Sequence, residues 1–292
     1  VFKAWFDIRL SLKFIFRTLP STAWERLGDY LRETQLLGSI QNTLYWDQNT
    51  SMPFAGASWR GEQLSFLAKS IHARQSCSMF ETLLNEAKSE FDKQSISFPF
   101  EEKEILERSR NIELLEQDLK RQKSLDPDLV VRLAIAKSEG YNLWQEAKKN
   151  SDFTCFSNAL RNLIALRKEQ STQLGESRSC WETLAQPFEP DLTIKRLKEL
   201  FLPLRKRLPE LIEKFRSRKN VLSSSSWDLP ENSQEILCDQ LLDAWNRDIK
   251  NTTVARSPHP FSITLGPSDF RITTRVVKGQ PLSCFLATAH EW

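Results

Sequence analysis

Residues 101–122 read EEKEILERSRNIELLEQDLKRQ, and SLDPDL (124–129) follows at once before a second periodic stretch. Ile105, Ile112 and Leu119 fall seven apart with charges between them, which is the spacing of an apolar seam on a helix. Pro127 sits near the first turn of the next helix, where its missing N–H is an orphan in any case. Leu129, Leu133, Ala136, Gly140, Leu143 and Ala147 then repeat at alternating steps of four and three. Two helices joined by so short a turn predict a long antiparallel hairpin over about 101–150, whose residues serve packing.

Helical texture extends outward on both sides. Ser21 and Thr22 offer N-caps to a helix carrying Trp24, Leu27, Leu31 and Leu36 as far as LYWDQ (44–48). NTSMPFAGA (49–57) breaks it with Pro53 and Gly56, and a second helix runs through Trp59, Gln63, Phe66, Leu67 and Ser70 to His72, a helix-surface or packing histidine. DFTCFSNALRNLIALRKEQS (152–171) predicts a further helix. DLTIKRLKELFLPLRKRLPELIEKFRSR (191–218) predicts one or two more, interrupted near Pro203 and Pro209, and four serines (223–226) mark an exposed loop. After Arg256 the texture changes. HPFSITLGPSDFRITTRVV (259–277) alternates side chains around Gly266-Pro267, which predicts a short β-hairpin, and residues 282–291 return to helix. The expected fold class is all-α, with one small β element near residues 261–276.

Composition agrees with helix and narrows function. Eight glycines and three tyrosines stand against many Leu, Glu, Lys and Arg. With 41 basic against 38 acidic residues and no basic tract interleaved with aromatics, nucleic-acid binding is not expected. Residues 1–20 are apolar but interrupted by Lys3, Asp7, Arg9, Lys13 and Arg17, so they form neither a membrane span nor a clean signal peptide. They lack an initial methionine and read as a mis-started terminus or a short amphipathic helix. The five cysteines (77, 155, 180, 238, 284) are odd in number and include no C-x-x-C, which fits a reduced, cytoplasmic compartment.

Three islands then fall in order. ETQLLGSIQNTLYWDQNTSMPFAGASWRGEQLSFLAKSIHA (33–73) is the first. LWQEAKKNSDFTCFSNALRNLIALRKEQ (143–170) is the second, with FEPDLTIKRLKELFLPLRKRL (188–208) after it. HPF (259–261), DFRITT (269–274) and HE (290–291) form the third. Together they resemble the carboxypeptidase Taq family of metallocarboxypeptidases, peptidase family M32. The third island is the most specific, since it is similar to that family's H-P-F, D-x-R-x-T and opening H-E-x-x-H motifs. The resemblance covers about residues 21–292 and implies a helical zincin-like peptidase fold. It also implies a catalytic domain that is incomplete here and ends inside the H-E-x-x-H motif.

By resemblance, His290 is the first ligand of Zn2+ or Co2+ and Glu291 the general base that takes a proton from metal-bound water. His259, Asp269, Arg271 and Thr273 match positions that shape the cleft beside the metal. Asp269 and Arg271 share a strand face and suit a structural ion pair; His259, before a proline, suits a buried hydrogen-bonding role. Peptides are the implied substrates, hydrolysed at their C-termini, and a homodimer is the implied assembly. Because one of three expected ligands is present, the resemblance implies that these 292 residues bind no metal and are inactive. The alternative is a non-catalytic helical interaction or scaffold protein, or a pseudogene product. Two segments depart from the family pattern: NRDIKNTTVARSP (246–258) and QPFEPD (186–191).

Overall fold

The computed structural model describes residues 22–97, 102–175, 177–216 and 229–292. The segment 1–20, the candidate cap Ser21 and the serine loop 223–226 lie outside the described residues. The described residues divide into two compact units, 22–175 and 177–292.

The first unit is wholly helical among its described residues: α1 (Ala23–Thr50), a 3-10 turn (Phe54–Gly56), α2 (Ala57–Ser76), α3 (Ser78–Ser97), α4 (Glu102–Lys123), α5 (Pro127–Asn150) and α6 (Thr154–Leu174). Local chemistry sets their ends. The Thr22 hydroxyl accepts from the Glu25 amide while the Glu25 carboxylate reaches back to the Thr22 amide, a complete capping box. The Asp126 side chain accepts from the Asp128 amide beside Pro127, as a first-turn proline allows. Gly175 closes α6 at φ 62°, a left-handed conformation that costs a glycine little.

The turn at 124–126 joins α4 and α5 as expected, but the two helices do not pair with each other as the seam spacing suggested. Instead α5 packs against α2 and α6, while α4 packs against α2 and α3. Small residues explain the choice. A Cβ on Gly140 would come within 2.9 Å of Leu163 Cδ1, so glycine lets α6 approach α5 there; Gly61 of α2 sits opposite Ser138. Leu129, Leu133, Ala136 and Leu166 form the core between α5 and α6, with Leu163 packed on it. His72 is a packing histidine: it is buried, with Nδ1 3.1 Å from Gln122 Oε1.

The second unit holds α7 (Cys180–Ala185), α8 (Ile194–Arg216), α9 (Glu231–Ala244), β1 (Thr252–Arg256), β2 (Ser262–Gly266), β3 (Asp269–Thr274) and α10 (Pro281–Glu291). The expected break in α8 is absent, and one helix runs through both Pro203 and Pro209. Leu197, Leu200, Phe201, Leu204, Leu208, Leu211, Ile212 and Phe215 keep a helical period across both prolines, so the amphipathic register never resets. The hairpin around Gly266-Pro267 is present as β2 and β3, antiparallel, with an irregularity between Thr264 and Gly266. A third strand was not expected: β1 pairs parallel to β3, which gives the order β1-β3-β2. α10 packs on α9 and on β3.

Candidate metallopeptidase site

The last described helix carries the His-Glu pair. His290 is exposed and Glu291 half-buried in its final turn. What holds that helix is a buried polar seam. Thr288 has no exposed surface, and its hydroxyl lies 2.9 Å from the Thr274 hydroxyl and 3.0 Å from the Cys284 carbonyl, to which it can donate. Thr274 closes β3, so this seam ties α10 to the central strand at a point two residues from His290. Of the apolar residues beside it, Phe285 is half-buried and Leu286 is exposed.

Thr273, the neighbour of Thr274, faces the other way along the same strand and is equally buried. Its hydroxyl accepts from the Phe261 amide at 2.8 Å and lies 2.7 Å from the Ser257 hydroxyl. The Ser257 hydroxyl is also 2.7 Å from the His259 carbonyl. One threonine therefore fixes the whole H-P-F segment by its backbone. His259 itself is exposed, not buried as its sequence context suggested.

Asp269 and Arg271 form the ion pair expected of strand neighbours on one face. Arg271 Nε donates to Asp269 Oδ1 at 2.8 Å, and its terminal nitrogen to Oδ2 at 2.9 Å. That bidentate carboxylate holds the guanidinium pKa above its ordinary value. Both side chains are part-exposed, so the pair lies at the surface of the sheet.

Asp269, Arg271 and Thr273 thus lie on β3, His259 just before β2, and His290 and Glu291 on α10. Among the described residues no three His, Cys, Asp or Glu side chains converge as a metal cage. A catalytic zinc needs three protein ligands with water in the fourth position. The donors present do not fit that ion by themselves. Sequence reasoning missed Ser257, Thr274 and Thr288. A threonine four residues after Cys284 on an otherwise apolar helix was the available signal, but its partner lies on a strand.

The first unit contributes a second ordered group. Arg60 of α2 is nearly buried and pairs with Asp47 of α1 at 2.5 Å, while its Nε donates to Gln63 Oε1 at 3.0 Å and a terminal nitrogen donates to the Leu44 carbonyl. Asp47 and Arg60 of the first island are therefore brought together as a helix-to-helix tie.

Helical packing and a small sheet leading into a helix that ends in His-Glu define a helical metallopeptidase class. Within it, the family description "Carboxypeptidase Taq (M32) metallopeptidase" matches residues 26–292, and the chain belongs to that family. It is 27% identical over 286 residues to a thermostable carboxypeptidase 1 of Thermus thermophilus, covering 93% of this chain and 54% of the relative. Identity to carboxypeptidase 1 of Bacillus subtilis is 26% over 265 residues, covering 90% of this chain and 51% of that one. The crystal structure of BsuCP superposes with a TM-score of 0.84 at 25% identity, covering 92% of this chain and 52% of that one. An M32 carboxypeptidase from Deinococcus radiodurans shares the fold, with a TM-score of 0.74 at 22% identity over 92% of this chain and 52% of that one. The chain spans about half the length of the curated relatives it matches.

Proposed function

We propose that residues 21–292 are part of one metal-dependent carboxypeptidase domain, acting on the C-terminal residues of peptides. The observation that supports this reading is the order H-P-F, D-x-R-x-T and His-Glu on a strand and helix locked to each other through Thr274 and Thr288. In this reading His290 is one ligand of Zn2+ or Co2+, and Glu291 is the general base, a role that needs a carboxylate within hydrogen-bond reach of the attacking water. Asp269, Arg271, His259 and Thr273 shape the cleft. Arg271 is a cation that a peptide carboxylate would meet alongside Asp269, which already engages its Nε and one terminal nitrogen. Peptides are the partners and a homodimer the assembly of the complete enzyme, in the cytoplasm; no nucleic acid or lipid enters the mechanism. No described helix is long and apolar enough to cross a membrane.

One imidazole does not hold a catalytic metal, so the further ligands must come from residues other than those described here. The 292-residue chain is expected to bind zinc no more tightly in calorimetry than its His290→Ala variant, and to release no C-terminal amino acid from test peptides. Joined to the remaining portion of a family sequence, it is expected to gain both properties. Glu291→Gln in that longer protein then removes hydrolysis and leaves the metal. Chelator-sensitive carboxypeptidase activity in the 292-residue chain, lost in His290→Ala, would overturn the incomplete-site reading.

A further inference from the structure

Cys238 of α9 and Cys284 of α10 place their sulfur atoms 3.3 Å apart, and both residues are buried. They are separated by 46 residues in sequence, and no other pair among the five cysteines is in contact. Cys77 and Cys155 belong to the first unit, and Cys180 is exposed on α7. The surroundings fix the pair. The Thr274 hydroxyl lies 3.3 Å from Cys284 Sγ, and Thr288 bonds the Cys284 carbonyl one turn along the helix. A disulfide bond is about 2.05 Å long, so a small inward movement of each sulfur completes one without moving either helix to a new partner.

We propose that Cys238 and Cys284 are a redox pair whose disulfide staples α10, the helix of the His-Glu motif, to α9. The oxidant is a small hydroperoxide. One sulfur attacks the peroxide: an S–O bond forms, the O–O bond breaks, and one water leaves to give a sulfenic acid. The second sulfur then attacks the first, an S–S bond replaces the S–O bond, and a second water leaves. Two thiols are oxidised and one hydrogen peroxide is reduced to two waters; a dithiol reverses the change. Burial raises the Cys238 thiol pKa well above the ordinary cysteine range, and Cys284 and Asp239 add to the effect. The reaction therefore runs through local opening of the helices and speeds up as pH rises. Cys284 lies six residues before His290, roughly 9 Å along the helix axis, so the link restrains the helix without touching the motif. The proposal stands on the packing of α9 and α10 and holds whether or not His290 binds a metal.

The test treats the native 292-residue chain with hydrogen peroxide, blocks remaining thiols with iodoacetamide and maps the tryptic peptides by mass spectrometry. A Cys238–Cys284 cross-linked peptide is expected. Dithiothreitol should abolish it, and oxidation in guanidinium, where the folded geometry is gone, should lose the selectivity. A chain carrying Cys77→Ser, Cys155→Ser and Cys180→Ser should still form the link. Hydrogen exchange across residues 284–291 should slow in the oxidised chain. The proposal is overturned if both thiols remain fully alkylatable after peroxide, if they proceed to sulfinic acids, or if either pairs with Cys180 instead. The mapping uses the unsubstituted protein, so a variant that fails to fold does not obscure the answer.

Discussion

Thr288 illustrates how much a single hydroxyl decides. It has no surface to offer solvent, yet it bridges the Thr274 hydroxyl and the Cys284 carbonyl. Valine has nearly the same shape but no hydroxyl. Thr288→Val removes one hydrogen bond from the Thr274 hydroxyl, which keeps only its longer contacts to the Cys284 carbonyl and sulfur, and loss of one such bond costs about 0.5–1.5 kcal/mol. Urea denaturation should show that loss; an unchanged midpoint would mean the seam adds nothing. Thr273→Val should behave similarly, since the Phe261 amide then loses the oxygen it donates to. Thr273 was legible through its place in DFRITT, but Thr274 as an anchor was not, because that role depends on which helix lies across the strand.

At the scale of elements, α5 shows packing at its most demanding. Leu129 is fully buried in the core it shares with Leu133, Ala136 and Leu166. Leu129→Ala should cost about 2–5 kcal/mol, transfer and cavity terms together, and thermal unfolding followed by circular dichroism measures it. A different force orders the start of α8. Glu182 accepts from the Ile194 amide at 2.7 Å with one oxygen and from the Ser179 amide and hydroxyl with the other. The Ile194 amide is the largest of the influences that hold its pKa below the ordinary carboxylate value. A depressed carboxylate stabilises the fold above its unfolded pKa of about 4.3 and ceases to do so as pH falls through the lower folded value. Helix content of the parent should therefore decline through that acid window more than that of Glu182→Gln, which has no charge to lose. Identical acid profiles would show that the α7–α8 link carries no stability.

At the scale of the whole molecule, apolar exposure is the feature with consequences in solution. Leu200, Phe201, Leu204, Leu208, Leu211 and Phe215 of α8 are all exposed, as is Leu286 of α10. Contiguous apolar surface of this kind drives association. The 292-residue chain should therefore elute above its monomer mass in size-exclusion chromatography with light scattering, increasingly so with concentration. A soluble monomer at all concentrations would contradict this. Replacing Phe201 and Leu208 with glutamate should shift the distribution toward monomer.

The sequence by itself determined the helical class, the cap at Thr22, the turn at 124–129, the turn at Gly266-Pro267 and the order of the three motif segments. Each is set by side-chain period or by bonding within a few residues, and such signals survive without knowledge of neighbours. Tertiary structure alone decided that α5 packs on α2 and α6 rather than on α4, through the space Gly140 leaves for Leu163. It also decided that Thr252–Arg256 joins β3 in parallel. The meeting of Cys238 with Cys284 belongs there too, because contacts made across 46 residues leave no periodic trace in the chain that makes them.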